Sequence, residues 1–160
     1  MEVLTRFSTR IAGVASGEKV THPVTREEVY TRQWYLEMLQ DSGIKVVDLI
    51  QEPTNSYDEN AVAVFVTLPA GRVQLGYIPN ASAVCGSCNK KFNPPIPNTC
   101  PVCSQVDPAT IFPVDRIGLA TKITSWLNNG YKFKARVMSI GRTSDGKYLG
   151  ASLEIERIQQ

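Results

Sequence analysis

The spacing of apolar positions changes along this chain, and each change marks an element. Residues 3 to 15 carry a strand pattern, too long to stay flat, with Gly13 placed for a bend or bulge. Ser16-Gly17-Glu18-Lys19 reads as a loop, and His22 before Pro23 as a further, solvent-facing one. From Thr25 to Ser42 the period lengthens to that of a helix. Val29, Tyr30, Trp34, Tyr35, Leu36, Met38 and Leu39 form its apolar stripe, which puts Trp34 and Tyr35 in the core. Thr25 and Glu28 make a capping box at its start, and Gly43 stops it. Residues 44–51, 61–68 and 72–79 return to strand periodicity, the last two joined by Leu68-Pro69-Ala70-Gly71. Asp115 caps a second helix to Asn128, with Leu119, Ala120, Ile123, Trp126 and Leu127 on one face and Gly130 as its stop. Tyr131, Phe133, Ala135 and Val137 then alternate with Lys132, Lys134 and Arg136. After a turn at Thr143–Lys147, Leu149, Ala151, Leu153 and Ile155 face inward, opposite Ser152, Glu154 and Glu156.

This order gives about six strands and two helices in 160 residues, enough to bury a core without disulfides. Strands in this number around one core predict a mainly β fold, a small, curved, partly closed barrel. An open α+β sheet satisfies the same pattern. The texture breaks at residues 81–113, which are rich in Pro, Asn and Ser and hold all four cysteines. The expected organisation is therefore a barrel domain built from 1–80 and 114–160, with 81–113 inserted in it.

The cysteines stand as Cys85-x2-Cys88 and Cys100-x2-Cys103. Two such pairs set four thiolates at the corners of a tetrahedron, the arrangement Zn²⁺ takes in a closed structural site. Two disulfides, a redox pair and an iron–sulfur cluster are the competing readings. A chain without an apolar leader argues against disulfides, and the absence of a thioredoxin-like βαβ pattern argues against redox chemistry. The expectation is one structural Zn²⁺ in a ribbon, with every coordination position taken by sulfur and none left for water. Lys90, Lys91 and Phe92 at the ribbon tip either touch a nucleic acid or a protein, or belong to a ribbon that only replaces a long loop with a folded one.

The centre of the chain is Gln51-Glu52-Pro53-Thr54-Asn55-Ser56-Tyr57-Asp58-Glu59-Asn60, a strand-to-strand loop rich in turn formers. Tyr57 either plugs the end of the core or stacks on a flat ring. Asp58 either caps the loop or accepts hydrogen bonds from a ligand.

Glu52-Pro53-x-Asn55-x-Tyr57-Asp58-x-Asn60-Ala61-Val62-x-Val64, followed by Gln74-Leu75-Gly76-Tyr77-Ile78-Pro79, resembles the HIRAN domain family. Thr9-Arg10-Ile11-Ala12-Gly13-Val14 is similar to that family's first strand. The likeness covers roughly residues 5 to 80 and 115 to 156. The family occurs at the front of Swi/Snf-type remodelling ATPases and as free-standing bacterial and phage proteins. The resemblance implies an OB-like barrel with two short helices that recognises the 3′ end of single-stranded DNA in repair, replication or phage DNA metabolism. It implies Tyr57 as a base-stacking surface and Asp58 as acceptor for the terminal hydroxyl, with Tyr77 as a further DNA-binding residue. A carboxylate selects a chain end because an internal phosphodiester has no hydroxyl to donate. Two positions depart from the end-binding relatives. Ala15-Ser16 replaces an Arg-Tyr pair, and Pro79-Asn80 stands where those relatives carry a basic residue. Both fall on phosphate and base contacts.

The net charge of +2 is too small to point to nucleic acid. Its distribution says more. Arg116, Lys122, Lys132, Lys134, Arg136, Arg142 and Lys147 face only Asp145 across residues 116–147, so the C-terminal third offers a basic face. Lys132, Lys134 and Arg136 are the expected phosphate contacts. The chain has one His and neither a nucleophile-elbow nor a phosphate-loop motif, so a non-enzyme is expected. The alternative is a protein-interaction adaptor whose zinc ribbon recruits a helicase or nuclease. No membrane partner is expected, since no stretch approaches a membrane span, and the expected location is cytoplasmic.

Overall fold

The computed structural model describes residues 3–56, 58–80, 83–85, 91–92, 111–113 and 119–159. The strands are β1 (Val3–Arg10), β2 (Lys19–Thr21), β3 (Glu28–Tyr30), β4 (Val46–Gln51), β5 (Val62–Leu68), β6 (Gly71–Tyr77), β7 (Ala83–Cys85), β8 (Lys91–Phe92), β9 (Ile111–Pro113), β10 (Lys132–Arg142) and β11 (Leu149–Ile158). The helices are α1 (Thr31–Ser42), between β3 and β4, and α2 (Leu119–Asn128), before β10. The architecture is mainly β. A six-stranded antiparallel sheet runs in the order β1-β11-β10-β4-β5-β6, beside the hairpin β2-β3 and the short sheet β8-β7-β9.

The sheet does not close into the expected barrel. Its end strands are β1 and β6, and they meet through a single residue pair just beyond β1, Ala12 with Tyr77. Those two residues exchange backbone hydrogen bonds of 2.8 Å in both directions. The ladder stops there for a local reason. Ile11 still donates to the Ala151 carbonyl on β11, and Gly13, at φ +76°, turns the chain away. The bend expected at Gly13 is therefore present, and it limits closure.

Alternation places the core as the sequence indicates. Leu149, Ala151, Leu153 and Ile155 of β11 are buried, and so are Ala135 and Val137 of β10. The apolar phase of β10 slips after Val137, and a bulge absorbs the slip. Val137 pairs with Leu153 but Ser139 pairs with Ser152, so Met138 is the extra residue and Ile140 returns to the core side. β5 is buried at nearly every position, as befits a central strand with α1 and α2 both packed near it. α2 buries Ala120 and Ile123, and its Trp126 ring lies 6.4 Å from Phe7 and 6.0 Å from Phe133.

The first helix begins later than expected. Glu28–Tyr30 forms a strand against Lys19–Thr21, and no side chain caps the helix at Tyr30. Thr25 Oγ1 instead accepts the Glu27 amide in a turn where Arg26 adopts φ +63°. Adjacent Val29 and Tyr30 suit a strand, and a partner strand lies within reach. The end of the helix is as expected, with Gly43 at φ +72° donating to the Leu39 carbonyl.

One contact fixes a glycine. A Cβ built on Gly76 would lie 2.3 Å from the Ala12 carbonyl oxygen and 2.7 Å from Ile11 Cγ2, so the backbone of residues 11–12 crosses β6 where no side chain fits. Gly76→Ala should lower unfolding stability by about 3 kcal/mol in urea denaturation. Gly150→Ala is the matched control, since its nearest neighbour would be Thr143 Cγ2 at 3.7 Å. That change should stay within about 0.5 kcal/mol. Equal losses at both positions would show that the crossing does not decide the residue.

Candidate functional site

The loop between β4 and β5 is braced by its own polar side chains. Glu52 N–H donates to the Ala61 carbonyl at 2.9 Å, which closes the loop at its base. Asn55 Nδ2 donates to Glu52 Oε1 at 3.1 Å, and the Asp58 amide donates to Asn55 Oδ1 at 3.1 Å. Asp58 Oδ1 accepts the Asn60 amide at 2.8 Å. These are the local side-chain-to-backbone turns that Asn and Asp favour. Asp58 is half-buried, and its second oxygen accepts from Asn80 Nδ2 at 2.8 Å. Tyr57, the residue expected to stack on a base, lies outside the described residues.

Asn80 is the one buried polar side chain among the described residues, at 9% exposure. It joins two elements. Its Nδ2 also donates to Thr121 Oγ1 at 3.0 Å, and its Oδ1 accepts the Thr121 amide at 3.1 Å. Thr121 sits in the first turn of α2, where backbone amides lack intrahelical acceptors, so Asn80 caps the helix from outside its own chain segment. Thr124 Oγ1 donates to the Asn60 carbonyl at 3.1 Å and adds a second tie. The acidic loop and α2 are thus held as one unit.

Tyr77 lies at the foot of this loop. Its hydroxyl donates to Glu52 Oε1 at 2.8 Å. The Arg32 guanidinium, from α1, sits 5.6 Å over the Tyr77 ring centroid and donates through Nη1 to the Gly13 carbonyl at 2.9 Å. Ser16 places Oγ 3.3 Å from Arg32 Nη1. The result is a cation beside Tyr77 supplied by the helix rather than by the first loop.

The three cations of β10 lie elsewhere. β10 is three strands from β6 in the sheet order, about 14 Å along the sheet. Lys132, Lys134 and Arg136 are exposed on one face, as their alternation indicates. Arg136 is committed to Glu154 at 2.9 Å, and Glu156 next to it pairs with Arg6 at 3.2 Å. The face is therefore mixed in sign, because β11 carries acids opposite the β10 cations: Glu154 faces Arg136 and Glu156 faces Lys134.

Cys85 ends β7, and nothing beyond its backbone position is described. Cys88, Cys100 and Cys103 lie outside the described residues, as do Lys90 and Asp115. Among the described residues, no group of three or more His, Cys, Asp or Glu side chains could hold a metal. Among them, no helix is long and apolar enough to cross a membrane. No family model, curated protein or solved structure matches the chain.

Two contributors escaped the sequence reading. Arg32 was hidden in a helix where cations are ordinarily solvated, and only the turn at Gly13 brings its carbonyl partner close. Asn80 follows Pro79 at a strand end, a context that signals a turn and nothing more. The Asn80 network carries its own test. Asn80→Ala leaves the Thr121 amide and an Asp58 oxygen without their partner, at a cost of about 2 kcal/mol in urea denaturation. Asn80→Asp should cost more at neutral pH, since it sets a carboxylate against Asp58. Two carboxylates in contact raise a folded-state pKa above its unfolded value, so that variant should regain stability as pH falls below about 5. A pH-independent deficit would refute the contact.

Proposed function

We propose that this chain is a non-catalytic nucleic-acid-binding module that holds the 3′ end of single-stranded DNA. The observation that carries this reading is the bracing of Glu52, Asn55, Asp58 and Asn60 in the β4–β5 loop, set against Tyr77 with Arg32 alongside. A binding surface on a pre-ordered loop does not lose affinity to ordering its own backbone. Each Asp58 oxygen takes one internal donor, and a carboxylate accepts about four, so acceptor capacity remains for a terminal hydroxyl. Tyr57 is the stacking residue in this proposal, worth about 1–3 kcal/mol per base whatever the sequence. Arg32 offers a positive charge where the first loop has Ala15-Ser16. Lys132 and Lys134 serve phosphates further from the end, and Arg136 joins them only by exchanging Glu154 for a phosphate.

The resemblance to the HIRAN family supports the same assignment, with residues 1–80 and 114–160 as one domain about the inserted 81–113. The insertion is proposed to be a ribbon in which Cys85, Cys88, Cys100 and Cys103 hold one structural Zn²⁺. The setting that fits is intracellular DNA repair, replication or phage DNA metabolism.

One observation favours a second reading. Both Asp58 oxygens are already used within the fold, which suits a loop that is purely structural. The chain would then be an adaptor that recruits a helicase or nuclease through the ribbon.

Fluorescence anisotropy separates the two. A short single strand with a free 3′-hydroxyl should bind at least about tenfold more tightly than the same strand ending in a 3′-phosphate, and Asp58→Ala should erase the difference. Affinity for both should fall as salt rises. Binding that ignores the end would reduce the module to a general nucleic-acid binder. No binding at low salt would leave the adaptor.

Metal analysis of the purified chain should return one zinc per chain, lost in Cys100→Ser together with Cys103→Ser. Metal-free protein with no free thiols would sink the zinc assignment and favour two disulfides.

A further inference from the structure

A second site lies on the other flank of α1. The β2-β3 hairpin, α1 and the turn between β10 and β11 enclose a cleft of about 370 Å³. Its lining is mostly polar and charged, with three aromatic rings among it. Tyr30 and Tyr148 stand 6.1 Å apart between ring centroids at 57°, and Trp34 stands beside them, 6.5 Å from His22. Trp34 lies outside the core cluster that takes in Leu36 and Leu39, so its expected core role is not the one it has.

Several polar groups of the cleft are already committed. Gln33 bonds the carbonyls of Val14 and Leu149 and accepts the Leu149 amide at 2.7 Å, which fixes the back wall. His22 Nδ1 accepts the Val24 and Thr25 amides, so its ring proton sits on Nε2 and points to Glu37 at 2.8 Å. Lys19 lies 4.9 Å over Tyr30. Arg142 and Lys147 line the mouth, and among the described residues neither has a carboxylate partner. The acid between them is occupied. Asp145 accepts from the Thr143 hydroxyl and the Lys147 amide, and these bonds hold it below the usual carboxylate range. Glu27 and Glu28 complete the rim.

We propose that this cleft binds a nucleotidyl group, its base against Tyr30, Trp34 and Tyr148 and its phosphate at Arg142 and Lys147. The volume lies within the range of small-ligand pockets. Half-buried aromatic faces beside unpaired cations are the pairing that base and phosphate need. Glu28 is placed to accept from a sugar hydroxyl or a base amino group. The site shares no residue with the 3′-end site and does not rest on it.

The chain has two tryptophans, so Trp126→Phe leaves Trp34 as the sole reporter. Two probes are titrated into it: deoxyadenosine monophosphate, and a short oligo-dA ending in a 3′-phosphate. Saturable quenching by the mononucleotide assigns the site to free nucleotides; quenching by the oligonucleotide alone assigns it to a base within a strand. Arg142→Ala with Lys147→Ala, both exposed, should weaken either probe about tenfold, and Asp58→Ala should leave it unchanged. Calorimetric titration of the unsubstituted chain repeats the test should Trp126→Phe fail to fold. No saturable binding of either probe up to about 10 mM, or binding indifferent to both cations, overturns the proposal.

Discussion

The crossing of residues 11–12 over β6 is the contact on which the rest depends. Ala12 and Tyr77 satisfy each other's backbone groups, and Gly76 makes room for the approach. Without that pair the two end strands of the sheet would have no direct bond. The consequences run outward in both directions. Gly13 turns immediately after the crossing, and its carbonyl receives Arg32 from α1. Tyr77, held at its backbone by the crossing, extends its hydroxyl to Glu52 at the base of the acidic loop. One backbone contact therefore sets the positions of a cation, an aromatic ring and a carboxylate.

The other end of the sheet is organised by different physics. Trp126 of α2 packs against Phe7 and Phe133, and the Arg157 guanidinium lies 4.5 Å from the Trp126 centroid and 4.8 Å from that of Tyr131. Arg157 also donates to Thr5 Oγ1 at 3.0 Å. Here α2 is seated by large rings, which are tolerant of small shifts. At its N-terminal end the same helix is seated by Asn80 and by Thr124, through directed bonds. The split makes sense: burial supplies most of the adhesion, while hydrogen bonds of fixed geometry locate the loop to within a bond length.

Strands were legible in the sequence because alternation and burial agree over β4, the first half of β10 and β11, while β5 reads as one apolar run buried on both faces. The stripe of α2 was legible for the same reason. Two things were not. Glu28–Tyr30 matched a helical capping pattern, but the pairing with Lys19–Thr21 is non-local, and pattern within one segment does not register it. The closure of the sheet depended on one positive φ at Gly13, a torsion that a glycine permits without dictating. At the site, the loop was visible from its turn formers, yet the tie that seats it on α2, Asn80, comes from 22 residues away in sequence, and Arg32 reaches the Gly13 turn from 19. The cations of β10 show the converse limit. Their alternation was right, but the acids of β11 opposite them change the sign balance of that face, and only register reveals it.

The helix α1 explains how one short fold presents two polar surfaces. Successive residues on a helix point about 100° apart, so neighbours in sequence serve different walls. Arg32 reaches the Gly13 turn and Tyr77, Gln33 clamps the start of β11, and Trp34 opens on the cleft beside His22. Leu36 and Leu39, fully buried, hold the helix against the sheet while those three do their separate tasks. A rotation of the helix by one residue position would expose Leu36 and carry Arg32 off its carbonyl acceptor. The apolar face thus sets the register of the polar ones, which ties the geometry of both surfaces to core packing.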